Sequence, residues 1–230
     1  MAEFSPLRRL LKVVHPEAIP WPGTAFYNVI SETNVFQRHY KLIAKDIINY
    51  CSEGAILDVG TGPGWLLVKL YRESPKLRMV GLDASPAMVD KARKNMAIVR
   101  LSDVVEIEEG EASHMPFADS SFDIVVSTGS VHHWKEPIAC LNDIYRVLKQ
   151  GGYALLYDFV SDTPRSVIEK SKREFGRFKI LFLWLHTFEE PFYTCKDFEW
   201  LAHSSLFEEG RTRFVGLFYC LILKKGTAKD

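Results

Sequence analysis

Between residues 55 and 157 the chain alternates short apolar runs with longer stretches in which apolar residues recur every three or four positions. The short runs are typical of strands buried on both faces, and the longer stretches have the period of amphipathic helices. They predict strands at 55–59, 78–83, 104–108, 124–127 and 153–157, and helices at 65–71, 86–97 and 138–148, the last ended by Gly151 and Gly152. This alternation favours the α/β class with a parallel sheet.

The flanks of this core carry other patterns. They predict amphipathic helices at 4–15 and 35–50, a basic helix at 165–179, an apolar stretch at 178–188, a helix from Thr194 to about Leu206, and a hairpin of strands 212–215 and 217–223. We therefore expect one domain in four parts: an N-terminal helical segment (1–50), the core (51–160), an insertion (161–206) and a hairpin that closes the sheet (207–230).

Composition narrows the class of protein without naming a ligand. With 230 residues, of which 47% are apolar and 25% charged, the chain can bury a sizeable core as one soluble domain. Its formal net charge of zero gives no overall field to attract nucleic acid. Four dispersed cysteines without a C-x-x-C pair argue against a zinc site and suit a reducing cytoplasm. The longest apolar run, 217–223, is too short to cross a bilayer, and the first residues lack the pattern of a signal peptide.

A glycine-rich turn follows the first strand and precedes a helix that starts at Trp65. Gly60, Gly62 and Gly64 allow close approach of a ligand to the backbone, and the helix start offers N–H groups. A dinucleotide fingerprint would need its last glycine at Trp65, and the Gly-Lys-Ser/Thr of a P-loop is absent. The remaining pattern is D-x-G-x-G-x-G from Asp58 to Gly64. A tight strand–helix turn without any ligand is the alternative interpretation.

This pattern resembles the first motif of class I S-adenosyl-L-methionine (SAM)-dependent methyltransferases. Three further features occur in the family's order: Asp83 at the end of the second strand, Gly110-Glu-Ala112 after the third, and the run Phe117–Asp123 before the fourth. The resemblance is close over about residues 40–160 and looser in the hairpin. It implies a Rossmann-like, seven-stranded, mostly parallel sheet of order 3-2-1-4-5-7-6 with the last strand antiparallel. It also implies helices on both faces, a helical cap at 161–206 and an N-terminal segment that covers the cofactor.

The resemblance implies SAM as cofactor and a set of residues that contact it. A carboxylate at Asp83 can accept both hydroxyl groups of a ribose diol, which suits SAM and NAD alike, and the glycine spacing favours SAM. Glu111 stands where the family usually has an aspartate that accepts from the adenine amino group. The other expected contacts are Asp58, Gly60, Thr61, Gly62, Gly64, Ala84, Ala112 and Ser127, with Tyr27 covering the methionine end. Simple packing is an equal alternative for Tyr27.

Two adjacent histidines, His132 and His133, follow the fourth strand. In an open α/β sheet ligands bind at the carboxyl ends of the strands, so both histidines are expected at the site. No cysteine or carboxylate stands near them at metal-ligand spacing, and we expect no metal. They are candidates for a general base or for lining the pocket, with Asp158 or Tyr157 as further candidate bases. Candidates for aromatic contact with the sulfonium are Tyr27, Trp65, Trp134 and Tyr157.

These features predict a methyltransferase that acts by in-line displacement on a small-molecule acceptor with an apolar or aromatic body. The cap supports such an acceptor, because it joins a basic stretch to an apolar one, although the apolar stretch could also pack on the core or form a dimer contact. A nucleic-acid or protein methyltransferase, and a catalytically silent SAM-binding partner protein, are the alternatives. We expect no nucleic-acid partner, and the oligomeric state and the methylated atom stay open.

Overall fold

The computed structural model describes residues 33–176 and 192–227. Four sequence predictions lie wholly or partly outside these residues: the helix at 4–15, the position of Tyr27, the end of the basic helix at 165–179, and the apolar stretch at 178–188. Of the four predicted parts of the domain, the core (51–160) lies wholly within the described residues, and the other three lie partly outside them.

Fourteen elements of regular structure follow one another along the described residues. The helices are α1 (Asn34–Ile48), α2 (Trp65–Glu73), α3 (Pro86–Ile98), α4 (Pro137–Val147), α5 (Arg165–Phe175) and α6 (Cys195–His203), with one 3-10 turn (Val131–His133). The strands are β1 (Gly54–Val59), β2 (Leu77–Asp83), β3 (Val105–Glu109), β4 (Phe122–Thr128), β5 (Leu148–Asp158), β6 (Arg211–Val215) and β7 (Phe218–Lys224). Within the described residues no helix has the length and apolar character needed to span a membrane.

The strands form one seven-stranded sheet of order β3-β2-β1-β4-β5-β7-β6, which confirms the predicted topology. β1 to β5 pair in parallel, while β7 runs antiparallel to both β5 and β6. The order reverses between β1 and β4, where Asp58 stands beside Val126. Such a switch point leaves a crevice beyond the carboxyl ends of the strands, and this is where a ligand binds in open α/β sheets.

Apolar side chains cover both faces of the sheet, as the continuous apolar runs predict. Successive residues of β1 point to opposite sides, so that Leu57 joins one core cluster and Ile56 the other. The first cluster includes residues of α4 and α6, such as Ile144 and Leu201, and the second includes residues of α1 and α2, such as Ile47. The result is a three-layer α/β arrangement that holds the strand ends of the crevice in fixed positions.

One boundary differs from the sequence prediction. α4 ends at Val147 and β5 begins at Leu148, so the two glycines expected to end the helix lie inside the strand. Gly151 has φ +75°, and a Cβ at Gly152 would lie 2.8 Å from the carbonyl oxygen of Asp123. The glycines therefore allow β5 to approach β4 closely where the register shifts between Phe122 and Ile124.

Candidate active site

A cleft opens beyond the carboxyl ends of β1, β2 and β4. The space in it, open mouth included, is about 690 Å³. Six of the predicted cofactor residues line it, together with one of the two histidines: Gly60, Gly62, Asp83, Ala84, Glu111, Ala112 and His133. Six other residues that line the cleft were not among the predicted cofactor contacts: Val59, Ser85, Met88, Gly110, Gly129 and Ser130.

The glycine turn uses its own N–H groups to hold its shape. The N–H groups of Gly60 and Thr61 both donate to the carbonyl oxygen of Leu82, at 2.8 and 2.9 Å. The N–H of Gly64 donates to the carbonyl oxygen of Thr61 at 3.0 Å. The N–H of Gly62 donates to Asp83 at 2.8 Å. A phosphate-binding loop needs N–H groups that point at the ligand. This turn therefore favours a nucleoside ligand without phosphates, such as SAM, over a dinucleotide.

Glycine is required in this turn for two separate reasons. Gly60, Gly62 and Gly64 have φ of +72°, +52° and +80°, in the left-handed region that other residues rarely adopt. A Cβ at Gly60 would in addition lie 2.3 Å from the Ser130 hydroxyl, on the cleft wall. Gly64 is the N-cap of α2 and packs against Met96 rather than against the cleft. Of the three glycines, the first two therefore shape the cleft, and the third joins the turn to α2.

Asp83 presents its carboxylate to the cleft from the end of β2. One oxygen accepts the Gly62 N–H at 2.8 Å, and the other accepts the Ser85 N–H at 2.9 Å. Burial raises the pKa of the Asp83 carboxyl, and these two hydrogen bonds oppose that rise. Each carboxylate oxygen has a second lone pair, so Asp83 can still accept hydrogen bonds from a ribose diol.

Asp58 and Thr61 lie beneath the glycine turn and do not line the cleft. The Thr61 hydroxyl donates to Asp58 Oδ2 at 2.8 Å, while Asp58 Oδ1 is buried and accepts no hydrogen bond from the described residues. Desolvation, reinforced by the nearby charge of Asp83 and opposed by the bond from Thr61, raises the pKa of Asp58 to about 7. A buried acceptor that lacks a donor is a feature that a bound ligand or water can satisfy.

Glu111 and Ala112 reach the cleft on the loop between β3 and β4. Helix α4 holds this loop: Asp143 accepts the Met115 N–H at 2.7 Å, and Arg146 donates to the Met115 carbonyl at 3.0 Å. Glu111 is exposed and pairs with His114 in an isolated bridge. Its longer side chain therefore has open space in which to reach an adenine amino group.

Ser130 lines the cleft, whereas Ser127, which was predicted to contact the cofactor, does not. Ser127 is wholly buried near the end of β4, and its hydroxyl lies 2.9 Å from that of Ser130. Ser130 lines the cleft and also donates to the carbonyl oxygen of Val59 at 3.3 Å. Ser127 thus supports a serine that comes three residues later, after the turn at Gly129.

The two histidines separate, because the 3-10 turn at Val131–His133 places their rings differently. His133 lines the cleft. His132 is only 5% exposed, and its Nδ1 lies 2.9 Å from both carboxylate oxygens of Asp158 at the end of β5. Their ring centroids are 3.9 Å apart. The described residues contain no group of three His, Cys, Asp or Glu side chains that could hold a metal ion.

Among the candidate aromatic residues that the structure describes, Trp134 lines the cleft, whereas Trp65 and Tyr157 do not. Tyr157 points to the opposite face of the sheet, where its hydroxyl donates to Asp46 of α1 at 2.8 Å. Burial raises the pKa of Tyr157 well above its usual value. Tyr157 is therefore a wrong prediction both as a base and as a sulfonium contact, because β5 directs it away from the cleft.

A sheet of this order, with an acid after β2 and a self-bonded glycine turn at its switch point, defines a Rossmann-like nucleoside-binding fold of the class I methyltransferase type. Residues 57–156 match the family model described as a methyltransferase domain. Over these residues the chain is similar in sequence to known methyltransferases, and its fold is that of the class I SAM-dependent methyltransferases.

Three known proteins illustrate the relationship. A ubiquinone/menaquinone biosynthesis C-methyltransferase from Geotalea daltonii is 30% identical over 145 residues, which cover 63% of this chain and 61% of that protein. The chloroplastic 2-methyl-6-phytyl-1,4-hydroquinone methyltransferase 1 from Oryza sativa subsp. japonica is 35% identical over 108 residues, 47% of this chain and 32% of that one. The alignments thus span less than two thirds of either relative.

The third known protein is a candidate SAM-dependent methyltransferase from Methanococcus maripaludis, whose crystal structure has a TM-score of 0.70 at 23% identity. The match covers 100% of this chain and 99% of that one. It shows that the two chains share a fold.

Proposed function

We propose that this protein is a SAM-dependent methyltransferase that transfers a methyl group to a small-molecule acceptor with an aromatic body. The observation that carries the proposal is the glycine turn, whose N–H groups are bonded within the protein next to the carboxylate of Asp83. This combination suits a ligand with a ribose diol and no phosphates. The family of residues 57–156 supports the same cofactor.

The cleft residues divide the work of holding the cofactor. Asp83 accepts hydrogen bonds from the ribose, Glu111 accepts from the adenine amino group, and Trp134 offers an aromatic face on the same wall as His133. When bound, SAM supplies a methyl group on a sulfonium, which is the electrophile. Correct placement of the acceptor beside it contributes about 7–11 kcal/mol toward lowering the barrier.

An aromatic acceptor is supported by the relatives and by the surroundings of the histidines. The two relatives are named for quinone or hydroquinone methylation. Next to the cleft, the ring of Phe192 lies 4.4 Å from that of His132 and 5.9 Å from that of Phe159. These packed rings lie behind His133, which lines the cleft, and aromatic rings favour contact with one another.

The first test is calorimetric titration with SAM, S-adenosylhomocysteine and NAD. We expect micromolar binding of the first two and no heat with NAD. Asp83→Asn should weaken S-adenosylhomocysteine binding about 10- to 100-fold, because hydrogen bonds to a charged group contribute about 1.5–3 kcal/mol. Asp90→Asn, an exposed carboxylate on α3, is the matched control and should bind like the wild type. NAD binding without SAM binding would refute the proposal.

The second test is methyl transfer from labelled SAM to a panel of hydroquinones, phenols, thiols and amines, with RNA and protein substrates included. We expect transfer to hydroquinones or phenols. Transfer only to RNA or protein would support the alternative substrate class, and binding of SAM without transfer to any acceptor would support a silent SAM-binding protein.

A further inference from the structure

A carboxylate–histidine pair lies beside the cleft and takes no part in the contacts assigned to the cofactor. Asp158 is wholly buried at the end of β5, and it accepts the backbone N–H of His132 at 2.9 Å and that of Phe159 at 2.8 Å. Its two oxygens also lie 2.9 Å from His132 Nδ1. The strand, the 3-10 turn and the imidazole ring are therefore joined at one carboxylate.

This arrangement sets the tautomer of the His132 ring. A carboxylate only accepts hydrogen bonds, so Nδ1 must carry the proton that it shares with Asp158. In the neutral ring the lone pair then belongs to Nε2, to which the described residues offer no hydrogen bond. The ring is also held on two sides, by Phe192 at 4.4 Å and by His133 at 3.9 Å between centroids. His132 is thus a fixed imidazole with a defined basic nitrogen.

The pair also lies next to the wall of the cleft. His133 lines the cleft and its ring lies against that of His132, so the buried imidazole is one ring away from the cleft wall. On its other side His132 belongs to a packed group of aromatic rings that runs through Phe192 and Phe159 to the buried Phe218, 4.3 Å from Phe159. A proton transfer at this place requires the hydroxyl group of an acceptor to reach His132 Nε2 at the edge of the cleft beside His133.

We propose that His132 is the general base that removes a proton from an acceptor with an aromatic hydroxyl group, and that Asp158 is the positioning residue that holds Nε2 in its basic form. The inference rests on the proposed methyl transfer and names its acceptor class, a phenol or hydroquinone. It assigns His133 to the cleft wall rather than to proton transfer.

The proton and bond changes balance. Nε2 takes the hydroxyl proton, and the electron pair of the O–H bond makes the oxygen and the ring carbon beside it nucleophilic. The acceptor then forms its bond to the methyl carbon as the bond from that carbon to sulfur breaks. In oxygen methylation the imidazolium later loses its proton to water. In carbon methylation the ring C–H proton leaves to water, and the oxygen regains a proton from the imidazolium. One proton is released for each methyl group in both cases.

A structural role for the pair makes different predictions, because the same contacts tie the end of β5 to the turn that carries His133 and Trp134. A structural tie would change the melting temperature and cofactor binding. It would not by itself make kcat depend on pH. The test therefore combines pH profiles and ring nitrogen spectra with measurements of binding and stability.

The experiment compares wild type, His132→Gln, Asp158→Asn and His133→Gln, with the exposed His203→Gln of α6 as the matched control. In the wild type, kcat for a hydroquinone should rise with pH through one ionisation and then level. His132→Gln should lose this dependence and about 10²–10⁴-fold in kcat, the usual effect of a general base. The Kd for S-adenosylhomocysteine should stay within about threefold of the wild-type value, a change well below the tenfold that corresponds to about 1.4 kcal/mol. His133→Gln and His203→Gln should keep the ionisation.

Nitrogen-15 NMR of the histidine rings tests the positioning role without relying on activity. In the wild type bound to S-adenosylhomocysteine, neutral His132 should be protonated at Nδ1, and Asp158→Asn should shift the population toward the other tautomer and lower kcat. A wild-type His132 protonated at Nε2, or a His132→Gln variant with the wild-type pH profile, would overturn the inference. The inference would also be overturned if every variant that loses activity also binds S-adenosylhomocysteine more weakly and melts at a lower temperature. Failure of the wild type to bind SAM would instead refute the proposed function itself.

Discussion

At the scale of single residues, Asp58 is an acid kept in an unfavourable environment. It is 2% exposed, one of its oxygens accepts no hydrogen bond from the described residues, and its pKa is raised to about 7, chiefly by desolvation. Between the unfolded value near 4 and this folded value, the native state binds more protons than the unfolded chain. Asp58 therefore lowers the stability of the cofactor-free protein as the pH rises through this window.

Replacement of Asp58 by asparagine should remove this dependence. The free energy of unfolding of Asp58→Asn, relative to wild type, should move in the variant's favour by up to about 4 kcal/mol between pH 4 and pH 8, because one pKa unit corresponds to about 1.4 kcal/mol. Urea unfolding at pH 4, 6 and 8 without cofactor measures it, with the exposed Asp90→Asn as control. A difference that stays constant over this range would contradict the assignment.

The sequence-predicted site residues lie at the cleft where one short segment supplies them. Gly60, Gly62 and Asp83 follow directly from strand ends, and all three line the cleft. Ser130 was missed in favour of Ser127, because both follow the same strand and only the turn at Gly129 decides which hydroxyl faces the cleft. The pairing of His132 with Asp158 joins residues 26 apart in sequence, and no local pattern in a single sequence reports such a contact.

At the scale of elements, α4 acts as a clamp on the loop that carries Glu111 and Ala112. Arg146 donates to the carbonyl oxygens of Phe117 and Met115 at 2.6 and 3.0 Å, and to Asp143 at 2.6 Å. Asp143 in turn accepts the Met115 N–H at 2.7 Å. Residues three apart lie on the same side of a helix, so one face of α4 satisfies several polar backbone groups of the loop.

The variant Arg146→Met should loosen this loop without unfolding the sheet. Its apolar side chain keeps much of the packing of arginine and loses every donor, each worth about 0.5–1.5 kcal/mol to a neutral carbonyl. We expect faster amide hydrogen exchange at 111–117, weaker S-adenosylhomocysteine binding by about 3- to 30-fold on the same basis, and a kcat at saturation near the wild-type value. Arg72→Met, an exposed residue of α2, is the control. Unchanged exchange in the loop would show that α4 does not hold it.

Element boundaries were harder to predict than element types. The strand–helix alternation from 55 to 157 gave the correct type for each element, since the apolar runs and amphipathic periods are strong local signals. Gly151 and Gly152 gave the wrong boundary, because a glycine pair after a helix can end it or can let a strand pass close to its neighbour. The close approach to Asp123 that decides between these outcomes is a tertiary contact.

At the scale of the whole molecule, a partly buried polar network ties the first described helix to the last strands. Arg213 of β6 donates to both oxygens of Asp46 in α1, at 2.5 and 2.6 Å, and Tyr157 of β5 donates to the same carboxylate at 2.8 Å. The sheet order leaves β6 at the edge of the sheet. The network therefore fixes α1 against the C-terminal strands of the sheet. It lies on the face of the sheet opposite the histidines.

Breaking this network should be costly and non-additive. Asp46→Asn and Arg213→Met should each lower the free energy of unfolding by about 1–3 kcal/mol, because each leaves a polar partner less well satisfied, with the partial exposure of Arg213 reducing its share. The double variant should cost at least about 1 kcal/mol less than the sum, since residues in one network couple. The control cycle is the exposed pair Lys172 and Glu169 on α5, where the coupling should not exceed about 0.5 kcal/mol. Urea unfolding measures both cycles, and S-adenosylhomocysteine affinity should remain at the wild-type level, because the cleft uses none of these residues. Additive costs at Asp46 and Arg213 would mean that α1 is held by its apolar face alone.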